Sequence, residues 1–240
     1  MSKIFPKNKK DTTRINRQDK DMKAIVNFIT EIFSLKYLLR SSYQVLSRGL
    51  GQETIAEHSF MTAVIGYMLS KLENADTDKV ILMCLLHDIL ETRIGDANFI
   101  HRRYQILFED KAMNDMLKNL PDNIKGEINQ LYKDLMSKKT LEARLVHEAD
   151  ILEELFQEKH YFEIGNQQAK GWMEYSLNRL KNQNAKRIGR ILYRAKINEW
   201  WDFVINKPPV ANERFKTLFS YLFKEMAGRQ LNKIRKLKAK

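Results

Sequence analysis

Apolar residues in this chain recur three and four positions apart rather than two, and little interrupts them: 240 residues contain only nine glycines and four prolines. That period belongs to amphipathic helices, not to half-buried strands. It predicts an all-α fold, a multi-helix bundle around one core with a C-terminal helical extension. Met22–Leu39 reads as the first helix, Arg40–Glu53 as a loop, and Thr54–Leu72 as the second helix. Asn74–Thr77 supplies a turn and N-cap for a third helix ending near Arg93, before Gly95. Further helices fit about 100–118, 122–137, 140–164, 167–182 and 184–205, with breaks near Pro121, Gly165 and Asn184. Pro208–Pro209 stops the last of these. The expected organisation is a basic N-terminal arm over 1–20, a helical core over 21–206 and a basic helical extension over 207–240. No internal repeat is visible.

Composition narrows the setting. The longest apolar run, Val80–Leu90, is cut by His87–Asp88 and falls short of the ~18 residues a membrane span needs. The N-terminal stretch is polar and charged, unlike a secretory signal. Cys84 is the single cysteine, which excludes an intrachain disulfide framework. These features lead to the expectation of a cytoplasmic protein that does not bind membranes. The net charge of +12 suits anionic partners such as phosphorylated metabolites or nucleic acid, and equally a solvated basic surface. The end, QLNKIRKLKAK, is the densest basic cluster, on a stretch that also carries Phe215, Leu218, Phe219 and Leu222. No recognised nucleic-acid module accompanies it.

The informative residues are polar ones on apolar faces. Val80, Cys84, His87 and Glu91 follow i, i+4, i+7 and i+11, and Asp88 lies one step around. His58 aligns with Met61, Thr62, Ile65 and Leu69, and Asp150 sits at the margin of the stripe through Leu145 and Leu152. Each alone reads as a satisfied core histidine or a solvated carboxylate. Together they would bury a carboxylate next to two imidazoles, which is costly without a partner. A divalent cation would satisfy that set. Spacing alone leaves both readings open.

The order His58…His87–Asp88…Asp150 resembles the H…HD…D signature of the HD-domain metal-dependent phosphohydrolases. AEHSF at 56–60, HDILETRIGD at 87–96 and HEADILEE at 147–154 are similar to the 5′-deoxynucleotidase-like branch of that family. The resemblance covers roughly residues 30–200. It implies one divalent metal (Mn, Co, Mg, Zn, Ni or Fe) held by His58, His87, Asp88 and Asp150. It implies that Glu91 is catalytic and that Asp96 serves both catalysis and the substrate's sugar hydroxyl. It further implies a homodimer acting on 5′-(deoxy)nucleoside monophosphates. The family's early arginine, often followed by Trp, is best matched by Arg40, which Ser41 follows here, with Arg48 competing.

In such a site the metal makes hydroxide available near neutral pH. Glu91 can orient water or protonate the departing sugar oxygen. Arg40, Arg48 and Arg93 are the candidates to hold phosphate. His101, His147 and Cys84 read as surface, supporting and core residues respectively. Two other functions stay in view: the same site on another phosphoester (a cyclic nucleotide, a nucleoside triphosphate or a phosphorylated metabolite), and a non-catalytic basic helical binding protein.

Overall fold

The computed structural model of the chain describes residues 17–47 and 51–201. Arg48, the basic C-terminal cluster and most of both flanking segments lie outside the described residues. Among the described residues the regular structure is helical, apart from one isolated antiparallel bridge, Leu39 to Thr54. The helices are α1 (Arg17–Phe33), α2 (Gln44–Ser47), α3 (Ile55–Glu73), α4 (Thr77–Leu86), α5 (Glu91–Ile94), α6 (Glu109–Leu117), α7 (Asp122–Ser137), α8 (Leu141–Glu163), α9 (Ala169–Arg179) and α10 (Gln183–Arg194). The chain divides into one compact unit ending at Arg194 and another beginning at Ala195. In the second, Glu199–Trp201 forms a short 3₁₀ turn whose two tryptophan rings meet edge to face.

Three helices frame the site, and their ends are specified locally. α3 starts at a capping box: Thr54 Oγ1 accepts from Glu57 N at 3.2 Å, and Glu57 Oε2 accepts from Thr54 N at 2.8 Å. That box fixes the first turn and therefore His58. Asp76 caps α4 by accepting from Lys79 N, as the Asn74–Thr77 turn predicts. Thr140 caps α8 in the same way through Ala143 N.

α3, α4 and α8 enclose the larger core, with Leu69, Val80, Cys84, Ala149, Leu152 and Leu155 fully buried. Gly66 permits the approach of α3 to α4, because a Cβ there would lie 2.6 Å from Cys84 Sγ. Cys84 is thus a packing residue, its thiol pushed up to about 12 by burial. A second core, containing Leu35, Ile55, Ile89, Met113 and Leu117, receives the half-buried face of α1.

Several segments differ from the periodic expectation. Arg40–Glu53, expected as a loop, contains the short helix α2. α4 ends at Leu86 rather than near Arg93. Its last turn gives up the carbonyl of Cys84 to the His87 ring, whose Nδ1 lies 2.7 Å away. The backbone then runs through i→i−3 bonds such as Glu91 N to Asp88 O before α5 begins. The helix expected over 100–118 is confined to Glu109–Leu117, because Asn98 Oδ1 accepts from Ile100 N and His101 N and Arg102 Nε donates to Ala97 O. α1 gives way to a 3₁₀ turn at Ser34–Lys36. The stretch expected to be helical to 205 leaves α-helix after Arg194.

Candidate active site

His58 Nε2 is the centre of the site. It lies 3.2 Å from His87 Nε2, 3.3 Å from Asp150 Oδ1 and 3.6 Å from Asp88 Oδ2. His87 Nε2 is 3.2 Å from the same Asp88 oxygen. The four residues singled out in the sequence therefore converge, delivered by α3, the turn after α4 and the middle of α8. The ring nitrogens facing away are already engaged. His58 Nδ1 is 2.6 Å from Glu153 Oε2, and His87 Nδ1 donates to the Cys84 carbonyl. Both imidazoles are thus oriented to present Nε2 to one point, the arrangement that outer hydrogen bonds give to metal-binding histidines. The donor atoms of His58, His87 and Asp88 lie within 4.8 Å of one another, as a group able to hold a metal ion. Two imidazole nitrogens with carboxylate oxygens are the donor chemistry of first-row divalent cations, so these residues fit such an ion.

The electrostatics follow from burial of like and unlike charges. Burial works against the charge of Asp88, yet His87, His58 and Arg40 beside it hold it down at about 2. Burial, followed by repulsion from Asp88 and Asp96, pushes Glu91 up to about 9. Its Oε2 is buried and has no hydrogen-bond partner among the described residues. Behind His58, burial and the adjacent Glu153 raise Glu53 to about 9.

These groups open into a polar cavity of about 360 Å³, lined by Arg40, Asp88, Glu91, Asp96, Asp150 and Arg179 among others. Arg40 is fixed from both sides. The Leu39–Thr54 bridge holds its backbone, with Arg40 N donating to Glu53 O, while Nη1 reaches Asp88 Oδ2 at 3.2 Å and Nη2 reaches Glu154 Oε1 at 3.7 Å. Gly95 adopts a left-handed φ of 74°, which turns the chain so that Asp96 lines the cavity and accepts from Ser41 N at 2.6 Å.

Arg93 is not brought to the cavity: it points away and ion-pairs with Glu31 of α1. Arg102 and Arg179 line the cavity instead. His147, read from the sequence as a surface or supporting residue, also lines it. Arg179, Glu153 and Glu53 had no motif pointing to them. The one usable signal was Glu153 and Glu154 following Asp150 at i+3 and i+4, which puts them on the same side of α8.

With the geometry in hand, comparison with known proteins assigns the class. The HD domain profile matches residues 32–192, well over half of the chain, and the chain belongs to that family. It is an HD-domain phosphohydrolase. Among curated proteins it is similar to the 5′-deoxynucleotidase HDDC2 of Xenopus laevis, 28% identical over 145 residues, which cover 59% of this chain and 71% of the relative. The human 5′-deoxynucleotidase HDDC2 is 23% identical over 145 residues, covering 59% and 70% respectively. Among solved structures, a Pyrococcus horikoshii protein is 27% identical, with a TM-score of 0.57 over 70% of this chain and 98% of its own. A predicted metal-dependent phosphohydrolase from Magnetospirillum magnetotacticum shares the fold with a TM-score of 0.58 at 24% identity, covering 73% and 92%.

Proposed function

We propose that this protein is a divalent-metal-dependent phosphomonoesterase that hydrolyses 5′-(deoxy)nucleoside monophosphates to nucleoside and phosphate. The observation that carries the reading is the convergence of His58, His87, Asp88 and Asp150 beside a cavity containing both Arg40 and an unpartnered Glu91. The similarity to proteins named 5′-deoxynucleotidases supports the substrate class.

His58, His87, Asp88 and Asp150 would hold the cation. When bound, it lowers the pKa of water and neutralises charge on phosphoryl oxygens. Arg40 receives the phosphate, its guanidinium already oriented by Asp88 and Glu154. Glu91 keeps its proton at neutral pH, so its carboxyl can give that proton to the departing sugar oxygen. Asp96 is placed for the sugar hydroxyl. Arg102 and Arg179 add positive charge at the cavity wall.

The same reading carries a cytoplasmic homodimer, which light scattering and cell fractionation test; no helix among the described residues is long and apolar enough to cross a membrane. The deciding assay is phosphate release from a panel of deoxy- and ribonucleoside monophosphates with Mn²⁺, Co²⁺ or Mg²⁺. Turnover is expected with at least one ion. Silence across the panel, or release of pyrophosphate from triphosphates instead, rejects the monophosphate reading.

A further inference from the structure

A second cavity adjoins the polar one. It measures about 380 Å³ and shares Ser42, Phe99, Glu154 and Arg179 with it. Its own lining is different: Tyr43, Trp172 and Tyr175 make it largely aromatic. Phe99 and Tyr175 stay 58% and 55% exposed, large apolar rings left in solvent at the mouth of a pocket. They meet edge to face with centroids 6.2 Å apart. The Arg179 guanidinium lies over both, 5.7 Å from the Phe99 centroid and 5.5 Å from that of Tyr175. Its ion pair with Glu154 holds it there.

The wall also carries an open polar group. Glu158 is only 3% exposed, and its Oε1 accepts from Ser176 Oγ at 3.0 Å. Its Oε2 is buried without a hydrogen-bond partner among the described residues. A buried polar oxygen left without a partner is costly, and a hydrogen-bonding group of a ligand would remove that cost.

Resting on the phosphomonoesterase reading, we propose that this aromatic cavity is the leaving-group subsite, taking the nucleobase by stacking. Continuity with the polar cavity decides the occupant. A phosphate at Arg40 leaves the rest of its nucleotide to pass Ser42 and Phe99. Beyond them the chemistry offered is flat, cationic and aromatic, which suits a heterocycle. Glu158 adds a free oxygen able to hydrogen-bond the edge of such a ring.

The test uses the full chain loaded with the most activating ion, and compares dAMP, dIMP, dCMP and dUMP with 2-deoxyribose 5-phosphate, which has no base. The expected kcat/KM for dAMP exceeds that of the baseless sugar phosphate by about tenfold or more, the scale of one base stacked on an aromatic ring. Tyr175→Ala narrows the nucleotide-to-sugar-phosphate ratio, mainly through KM. Equal rates with and without a base, or an unaltered ratio in Tyr175→Ala, overturn the subsite while leaving the phosphatase intact. If no compound releases phosphate, the phosphomonoesterase reading fails. Equilibrium binding of deoxyadenosine to the metal-free chain then decides the slot by itself: binding that Tyr175→Ala weakens supports it, and no binding overturns it.

Discussion

Two cavities lie side by side, sharing a wall, and they are built on opposite principles. The polar one assembles charge: Asp88, Asp150, Glu91 and Asp96 are compressed against His58, His87 and Arg40, and one oxygen of Glu91 is left without a partner among the described residues. The aromatic one assembles flat surface and leaves one buried oxygen of Glu158 without a partner. The contrast teaches that one wall can separate reaction from recognition. Charges close together set protonation states by desolvation and mutual repulsion, whereas rings fix an orientation and leave protons alone.

The comparison breaks hardest at Asp88. Asp88→Ala removes a carboxylate from the metal group and the partner of Arg40, so both activity and bound metal disappear, read by phosphate release and by elemental analysis. Retention of stoichiometric metal with full turnover would end the hydrolase interpretation. Glu91→Gln should keep the metal and lose about 10²–10⁴-fold in kcat, the usual worth of a positioned proton donor. A variant at wild-type rate would strip Glu91 of that role. Arg40→Lys keeps the charge and loses the planar fork, so KM rises by about tenfold, on the scale of one charged hydrogen bond.

The smallest effect lies in the aromatic cavity. Burial pushes Glu158 up to about 8, so the folded state holds a proton that the unfolded chain releases near the ordinary value of 4.5. Its contribution to stability is complete below that ordinary value and is lost as pH rises toward about 8. Glu158→Gln should therefore flatten the fall of Tm between weakly acidic and weakly alkaline pH. A slope identical to the parent protein's would show that Glu158 ionises freely.

The two cavities were unequally legible in the chain. His58, His87, Asp88 and Asp150 stand on apolar stripes where helical spacing exposes them as anomalies, and all four converge. Glu91 reaches the cavity by a route that spacing did not show: the continuous helix expected through Arg93 is broken, and α5 restarts at Glu91. That break also explains Arg93. In a one-turn helix, two residues past Glu91 is about 200° around the axis, which turns the guanidinium to Glu31 on α1. Tyr175 and Arg179 share the i, i+4 spacing of one face of α9, but Phe99 comes from a loop distant in sequence, so only the tertiary fold brings the three together. The exposed rings resemble ordinary surface aromatics until the cavity behind them is seen.

Asp150, Glu154 and Glu158 rise from successive turns of α8. The first lies against His58, the second braces both arginines at the shared wall, and the third faces the aromatic cavity. A single rigid rod therefore sets the span from one end of the binding region to the other, about 12 Å by helical rise. It works as a gauge. Deleting a single residue between Asp150 and Glu158 would swing one end by about 100° relative to the other, so lengthening or shortening the accepted molecule cannot be achieved by editing this helix piecemeal.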